Sequence, residues 1–237
     1  MDTPVVSPGS ADGLRARNKL DKLRRIKQAA ESLFIAKGFD DTTMREIAVR
    51  AGVGLGTIFL YAKNKRDLLF LTINEPLERV TDGAEAAIDP KSPLIQNLLA
   101  VAKLHYEFFG GQPALSRLVL REMIFYDSGA QAMPFQKTRE RLIELFGRIV
   151  DMAAATGEIA RPEDPLSVGW TMFCIFQVEL RHWLARETSQ LRTGLNELER
   201  AFQLLINGLN RGAVRWRNGR SRTIQNAGGQ KTGARRV

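Results

Sequence analysis

The residues that could carry out catalysis are few in this chain. Histidine occurs only at His105 and His182, and Cys174 is the single cysteine. The sequence has no H-x-x-x-H or C-x-x-C pair for a metal, no G-x-S-x-G for a nucleophilic serine and no glycine-rich loop that would cradle phosphate. We therefore expect no enzyme, no metal site and no cofactor, and the sequence indicates a binding function.

Positive charge is concentrated at the two ends of the chain. The net charge of +9 divides into thirteen Lys and Arg against eight Asp and Glu in residues 1–70, fifteen against eighteen in residues 71–214, and seven against none in residues 215–237. A basic end beside a mildly acidic body is typical of proteins that bind nucleic-acid phosphates. Solvated basic ends without a partner are the alternative. The basic residues at the start of the first predicted helix are Arg15, Arg17, Lys19, Lys22, Arg24 and Arg25.

Residues 39–69, FDDTTMREIAVRAGVGLGTIFLYAKNKRDLL, have the spacing of a helix-turn-helix. Thr43 and Glu46 form the T-x-x-E pattern of a capping box, which predicts a helix beginning at Met44. Gly52 is positioned to end that helix in a left-handed conformation. A short turn and a second helix over 55–61 would follow, which predicts two short helices crossing at a steep angle.

This stretch resembles the DNA-binding domain of the TetR-type (tetracycline-repressor-like) transcriptional regulators. TTMREIAVRAGVGLGTIFLYAKNKRDLL is similar to that family's helix 2, turn, helix 3 and start of helix 4, and AAESLFIAKGFDDTT is similar to the end of helix 1 and its loop. The resemblance covers residues 26–69. It implies a homodimer that binds an inverted-repeat operator in double-stranded DNA, commonly as a repressor, and releases it when a small-molecule effector enters the helical body.

The resemblance also implies roles for individual residues. Thr43, Tyr61 and Lys65 match positions that grip the DNA backbone. Arg45 matches a position that in some members reaches a base, where a guanidinium can bond guanine O6 and N7 as a forked pair. Specificity would then depend on Arg45, and affinity on the backbone contacts.

The predicted recognition helix departs from the family pattern. Gly54 and Leu55 replace a usual polar pair, Phe59 replaces a tyrosine, and no charged residue occurs over 53–62. Because such side chains offer methyl and ring contacts rather than directional hydrogen bonds, we predict thymines at the bases that this helix meets. The predicted DNA-binding residues are Thr43, Arg45, Leu55, Gly56, Thr57, Phe59, Leu60, Tyr61 and Lys65.

The rest of the chain is predicted to be helical, which makes the fold class all-α with about nine helices. Pro76 should end, kink or bend the fourth helix. We expect a disordered arm over 1–13, a helix-turn-helix domain over 14–63, a ligand-binding and dimerisation domain over 64–215 and a basic disordered tail over 216–237. The predicted helices are 14–37, 44–51, 55–61, one beginning at 64, 93–109, 113–127, 134–155, 165–187 and 194–215.

The last two predicted helices carry more apolar residues than one small core requires. We infer that the helices near 165–187 and 194–215 pair with their copies in a second subunit, which resembles the family's four-helix dimer interface. The alternative is that they form the middle of a monomeric core.

Several side chains of the body could line a ligand pocket that combines rings with a few polar groups. The candidates are His105, Phe109, Tyr126, Phe173 and Gln177. The alternative for each is an ordinary core position. Buried polar groups need partners, which singles out His105 and Gln177.

The single cysteine suits a reducing compartment, and the longest apolar stretch, residues 168–176, cannot span a bilayer, so we expect a cytoplasmic protein with no membrane contact. Two further interpretations stay open. One is a nucleic-acid-binding helical protein that uses its basic ends without sequence preference. The other is a helical interaction protein that has lost DNA binding. Preference for one inverted repeat over random DNA would distinguish the regulator from both.

Overall fold

The computed structural model describes residues 11–210, and that part contains nine helices and no strand. The all-α prediction is confirmed. The predicted N-terminal arm up to residue 10, the end of the last predicted helix and the predicted basic tail lie outside the described residues. The helices are α1 (Ala11–Lys37), α2 (Met44–Ala51), α3 (Leu55–Phe59), α4 (Lys65–Ala86), α5 (Leu94–Gly111), α6 (Pro113–Glu122), α7 (Ala132–Ala155), α8 (Pro165–Ala185) and α9 (Leu191–Asn210).

Helices α1 to α3 form a small N-terminal head with its own apolar centre. Ile26 of α1, Ile47 of α2 and Ile58 of α3 have no exposed surface. These three side chains come from different helices and fix the angle between α2 and α3, because each helix has a single apolar face that must be covered.

Helix α4 connects this head to the body. Asn64 caps its N-terminus by accepting a hydrogen bond from the Asp67 amide at 2.8 Å. Leu68, Leu69 and Phe70 are completely buried, and α4 packs on α1 as well as on α5 and α7. The helix continues through Pro76, so the proline is absorbed rather than ending the helix.

The body is a bundle in which α7 and α8 form the most extensive helix pair. Aromatic rings fill its centre: Tyr106 of α5 stacks on Trp183 of α8 with ring centroids 4.8 Å apart, and Phe146 of α7 lies 5.9 Å from Phe176 of α8. All four side chains are buried, and rings at such separations add to the free energy of folding beyond their apolar area.

Some helix boundaries differ from those predicted. Helix α6 ends at Glu122 rather than near 127, because residues 126–131 cross to α4 and make hydrogen bonds there. Helix α7 begins at Ala132, before Pro134, since a proline in the first helical turn removes no hydrogen bond. Within residues 11–210, no helix is both long and apolar enough to cross a membrane.

Candidate nucleic-acid interface

The start of α2 has the predicted capping box. The Thr43 amide donates to Glu46 Oε2 at 2.8 Å, and the Glu46 amide donates to Thr43 Oγ1 at 3.2 Å. Lys37 of α1 forms an ion pair with the same carboxylate. The Lys37 ammonium and the hydrogen bonds from Thr43 lower the pKa of Glu46 to about 2. The first turn of α2 is therefore held by contacts within the head.

The end of α2 also follows the prediction. Gly52 has φ +62° and ψ +42°, a left-handed conformation that glycine adopts without strain, and the Val53 amide then reaches the Ala48 carbonyl at 3.0 Å. Arg25 of α1 donates to the Ala51 carbonyl at 2.8 Å and to Asp21 at 3.1 Å. Arg25, one of the basic residues at the start of α1, therefore has a structural role, because it donates a hydrogen bond to a carbonyl at the end of α2.

The recognition helix α3 is short, about one and a half turns, and most of it is exposed. Its cap residue, Gly54, makes no side-chain hydrogen bond, and only Ile58 of the helix is buried. Phe59 and Leu60 are 50% and 79% exposed. Of the remaining predicted base-contacting residues, Gly56 is exposed, while Leu55 and Thr57 are half-buried. The outer face of α3 is thus apolar and open.

A cleft of about 630 Å³ lies where α2, α3 and α4 meet. Thr43, Phe59 and Lys65, all predicted DNA-binding residues, line it together with Lys63 and Asn64. The N-termini of α2 and α4 both open here, and helix N-termini attract phosphate through their free amides and positive dipole ends. Lys63 and Asn64 were not among the predicted DNA-binding residues, although a lysine just before a helix N-terminus was an available signal.

Lys65 and Arg45, the two basic residues predicted to contact DNA, differ in how many of their hydrogen-bond donors are already used within the protein. Lys65 Nζ donates to the Phe39 and Asp40 carbonyls at 2.7 and 2.8 Å and lies 4.9 Å from the centre of the Phe39 ring. An ammonium has three donors, so one remains for a phosphate. Arg45 is exposed, and no hydrogen bond or ion pair joins it to another described residue.

The head is joined to the body through one buried carboxylate, that of Asp67 in the first turn of α4. Asp67 Oδ2 accepts from the Lys63 and Ala130 amides, both at 2.8 Å, and Oδ1 accepts from the Gln131 amide at 3.0 Å and from the Tyr126 hydroxyl. Burial alone would raise the pKa of Asp67, but these hydrogen bonds outweigh it and keep the pKa below its ordinary value. The carboxylate is therefore charged and nearly saturated with donors.

The neighbours of Asp67 extend this network to the recognition helix. Gln131 Nε2 donates to the Tyr61 carbonyl, just after α3, at 3.1 Å, and Asn74 Nδ2 donates to the Gln131 carbonyl at 3.0 Å. The Tyr126 ring stacks on Phe70 with centroids 3.9 Å apart. We define Asp67, Tyr126, Ala130 and Gln131 as the junction network.

Surface ion pairs surround the junction network. Arg66 of α4 pairs with Glu122 of α6 at 2.9 Å, and Lys27 of α1 pairs with Glu75 of α4 at 3.0 Å. Each pair has one well-exposed partner, Arg66 or Glu75, so each contributes little, typically about 0–1 kcal/mol, and the two pairs only add to the attachment of the head.

Four of the five predicted ligand-binding residues line one cavity in the body. His105, Phe109, Phe173 and Gln177 surround a space of about 20 Å³. Tyr126 does not line this cavity, because its hydroxyl is engaged by Asp67. The space is close to that needed for a single water molecule, roughly 10–15 Å³, and far below the roughly 300 Å³ of a small ligand site. In this conformation the space is too small for such a ligand.

The small cavity has one charged residue in its wall, Arg139, and the predicted polar residues His105 and Gln177 are neutral. His105 Nδ1 donates to the Val101 carbonyl at 2.9 Å, and complete burial lowers the pKa of His105 to about 4. Gln177 Oε1 is buried and has no hydrogen-bond partner among the described residues. An acceptor left open in this way is available to a hydrogen-bond donor that enters the cavity.

A larger cavity of about 290 Å³ lies between α1, α4, α5 and α6. Phe109 lines both this cavity and the small one. Among the described residues that line the larger cavity, Glu31 alone is charged, and it belongs to α1 of the head. The sequence did not single out Glu31, because nothing in the pattern of a DNA-binding helix indicates that one of its carboxylates faces the body. Among the described residues, no group of three or more His, Cys, Asp or Glu could hold a metal ion.

Comparisons with known proteins agree with this architecture. Residues 26–71 match the model of the bacterial regulatory proteins of the tetR family. The chain is 25% identical over 197 residues to the HTH-type transcriptional repressor KstR of Rhodococcus jostii, with 82% of this chain and 87% of the relative covered. It is 24% identical over 196 residues to the fatty acid metabolism regulator protein of Bacillus subtilis, with 81% and 98% covered.

Solved structures share the fold. The regulator FadR of Bacillus subtilis, in complex with stearoyl-CoA, superposes with a TM-score of 0.63 at 22% identity, covering 78% of this chain and 98% of that one. FadR of Thermus thermophilus, in complex with lauroyl-CoA, gives a TM-score of 0.60 at 22% identity, with 79% and 94% covered. The helix-turn-helix of this chain thus matches that of the tetR family, and along most of its length the chain is similar to TetR-type transcriptional regulators and shares their fold.

Proposed function

We propose that this chain is a dimeric repressor that binds an inverted-repeat operator and leaves it when a small molecule occupies the helical body. The observation that carries the proposal is the cleft where the N-termini of α2 and α4 meet beside the exposed face of α3. Such a surface offers amides and an ammonium to phosphates and an apolar turn to the major groove. This role requires no catalytic step, and we assign none. Binding to chromosomal DNA would locate the protein in the cytoplasm.

The proposed contacts fall into two classes. Thr43, Tyr61 and Lys65 would bind phosphates, and Lys63 joins them because it lines the same cleft as Thr43 and Lys65. Arg45 would read guanine, since its guanidinium is exposed and has no partner in the described part of the chain. The residues proposed to meet thymine methyl groups and neighbouring sugars are Leu55, Gly56, Thr57, Phe59 and Leu60.

Selection of bound duplexes from a random pool, followed by measurement of affinity for the selected sequence, tests this proposal. Arg45→Ala should cost roughly 1–3 kcal/mol and relax the preference at one base pair of each half-site. Lys65→Ala should weaken binding to all sequences and lower the salt dependence by about one ion. Lys91→Ala, at an exposed residue outside the head, is the matched control.

The alternative is a nucleic-acid-binding protein that uses its basic ends without sequence preference. It predicts that no inverted repeat emerges from the selection and that affinity simply collapses as salt is raised. The absence of an inverted repeat, together with affinity that depends on salt and not on sequence, would overturn the operator proposal.

The dimer proposal is supported by the outer face of α8. Trp170, Cys174 and Val178 are exposed at intervals of four residues, with Trp170 at 44% and Val178 at 48%. Residues four apart share one side of a helix, so these three form a stripe. Leu204 of α9 is 77% exposed as well. A second copy of α8 and α9 would cover these side chains.

A charge at the centre of the stripe should prevent pairing. We expect Val178→Glu to convert a dimer into a monomer in sedimentation, and Lys91→Glu to leave it unchanged. In the wild-type dimer Cys174 should react slowly with a bulky maleimide, and in Val178→Glu it should react freely. A monomeric wild-type protein at micromolar concentration would refute the interface.

The effector proposal has two supports. Two relatives of this fold were solved with acyl-CoA bound, and the body of this chain contains two cavities separated by Phe109. A route to the head exists as well, because Phe135 lines the small cavity and packs edge-on against Phe70, 4.7 Å away. Phe70 stacks on Tyr126, which binds Asp67. A ligand that shifts Phe135 would thus disturb the junction network.

A further inference from the structure

The cavity between α1, α4, α5 and α6 has a carboxylate that no described residue binds directly. Glu31 is half-buried at its wall, and no hydrogen bond or ion pair joins its carboxylate to a described residue. Lys27, one helical turn away, acts on Glu31 electrostatically but is paired with Glu75 at 3.0 Å. Burial raises the pKa of Glu31, because the charged form has lost part of its hydration.

A second acceptor arises from the sequence of α4. Pro76 has no amide hydrogen, so the Thr72 carbonyl one turn earlier lacks the helical hydrogen bond that it would otherwise accept. Both residues line the cavity. A carbonyl that has lost this donor can accept a hydrogen bond from a ligand, which would add binding energy.

The remaining wall is apolar apart from two neutral groups. Ser116 of α6 is buried, and its hydroxyl has no hydrogen-bond partner among the described residues. Gln112 lies at the exposed turn between α5 and α6 and marks the side open to solvent. Ile73, Phe108 and Val119 supply hydrocarbon and ring surface. The cavity thus offers one negative charge, a free acceptor and an apolar wall.

We propose that this cavity is a ligand site that takes a primary alkylammonium, with the ammonium on the Glu31 carboxylate and the Thr72 carbonyl and the alkyl chain along Ile73 and Phe108. An ammonium supplies three donors and a positive charge, which are the features that the wall lacks. An anion would be repelled by the Glu31 carboxylate. An alcohol would donate a hydrogen bond to one acceptor but would not balance the negative charge. The volume of about 290 Å³ suits a short chain.

Phe109 sets the length of chain that the site accepts. Its ring belongs to the walls of both cavities, and it is 4% exposed. A chain that ends at Phe109 fits without rearrangement, whereas a longer one must displace this ring to reach His105 and Gln177. We therefore expect affinity to rise with chain length and then to level off, because moving a packed ring costs free energy that additional methylene groups only offset.

The site also has a position suited to regulation, and this part of the inference rests on the proposed repressor function. Glu31 belongs to the head, whereas Thr72 and Ser116 belong to α4 and α6. A bound cation would draw α1 toward α4 and α6 and so favour one position of the head over others. We expect occupancy to lower operator affinity.

The binding experiment uses the full chain and three probes of equal length: n-hexylamine, 1-hexanol and hexanoate, titrated calorimetrically at neutral pH. Charge-assisted hydrogen bonds contribute about 1.5 kcal/mol or more, so n-hexylamine should bind roughly tenfold more tightly than 1-hexanol, and hexanoate more weakly than both. Equal affinity for amine and alcohol would overturn the proposal.

Three variants locate the site. Glu31→Gln should remove the preference for amine and leave 1-hexanol binding unchanged; because it replaces an unpaired, half-buried carboxylate, it should fold as the wild type does. Glu107→Gln, at an exposed carboxylate of α5 next to Phe108, should keep the preference. Ser116→Met should fill the cavity and weaken all three probes. An amine preference that survives Glu31→Gln would assign the binding to another place and refute the site.

Operator affinity measured with and without n-hexylamine separates the two proposals. Release from the operator in the wild type but not in Glu31→Gln supports both. Sequence-specific DNA binding without any amine preference refutes the ligand site and leaves the repressor intact. Amine preference in a protein that recognises no operator supports the site and refutes the repressor.

Discussion

The head and the junction between head and body are held by contacts of different range in the sequence. In the head, Thr43 and Glu46 are three residues apart, and Gly52 ends α2 through the adjacent turn. At the junction, Asp67 binds Tyr126 and Gln131, which are 59 and 64 residues away. Local contacts determine the shape of the helix-turn-helix, and distant ones determine where it points.

This difference implies that recognition of DNA and regulation of DNA binding depend on different parts of the molecule. Because the helix-turn-helix is closed by its own caps, the body can change without reshaping the surface that meets DNA. The position of that surface depends on a few buried hydrogen bonds around one carboxylate, and such a cluster is disrupted as a unit when one member is lost. Variants in the two regions should therefore have different consequences for stability and for operator binding.

The largest effect is expected from Asp67→Ala. Removing one partner of a buried charged network typically costs about 3–5 kcal/mol, because the donors of Lys63, Tyr126, Ala130 and Gln131 lose their acceptor together. Denaturant unfolding measures this loss, and operator affinity should fall as well. Asp67→Asn should be intermediate, since an amide oxygen can accept some of the four bonds.

Asp82→Ala is the control for this substitution. Asp82 also lies on α4 and pairs with Arg141 at 2.7 Å, but its side chain is 57% exposed, so its removal should change stability by about 0–1 kcal/mol. If Asp67→Ala were no more destabilising than Asp82→Ala, the junction network could not be what fixes the head.

A smaller loss is expected from Gly129→Ala. Gly129 has φ +129°, a conformation that other residues rarely adopt, and a Cβ added there would clash with the Asp67 carboxylate. Backbone strain at such a position costs roughly 1–3 kcal/mol, and the clash with the carboxylate adds to this loss. Gly111→Ala at the end of α5 meets nothing within 4 Å, so thermal unfolding of that control should match or slightly exceed wild type. Equal transitions in both variants would exclude this role for Gly129.

These two regions also explain which features the sequence could predict. The capping box of Thr43 and Glu46 and the left-handed Gly52 depend on neighbours along the chain, so the helix-turn-helix followed from residue types and spacing. The all-α class followed from helical periodicity. Contacts within a few residues leave a recognisable pattern.

Contacts between distant residues leave no such pattern. Asp67 in the sequence is only an acidic residue in the first turn of a helix, where it suits the dipole, and Tyr126 could equally have faced a cavity. That the two meet depends on how α4 and α6 pack, which is why Tyr126 was placed in the ligand pocket. The sequence did not indicate Glu31 for the same reason. The packing of α4 and α6 against α1, rather than the sequence of α1, determines that Glu31 faces the body.

A loss confined to the head is expected from Thr43→Ala. The substitution removes the hydroxyl that caps α2, and such a change typically costs about 1 kcal/mol. Amide hydrogen exchange should accelerate in α2 and α3 and remain unchanged for the Gln131 amide at the junction. Thr43→Ser keeps the acceptor and should exchange as wild type does. Acceleration spread equally over both regions would show that head and junction are not separate units.

The smallest effect is a pH dependence that belongs to the head alone. The pKa of Glu46 is lowered from an ordinary 4.5 to about 2, so folding favours its charged form. Its contribution is complete above pH 4.5 and is lost as the pH falls from there toward 2, because protonation then removes the attraction to Lys37. Exchange of the α2 amides, referenced to amides in α8, should therefore accelerate over this range.

Glu46→Gln should abolish that pH dependence while leaving α2 formed, because a glutamine can still donate and accept in a capping box but carries no charge. Asp67 titrates at low pH as well, since its pKa is also below its ordinary value, and its protonation should weaken the junction network rather than α2. Measuring exchange at both places in the same sample therefore distinguishes them. If the α2 amides of Glu46→Gln still responded to pH as in wild type, control of the head by its own cap would be refuted, and the stability of the head would have to depend on the junction.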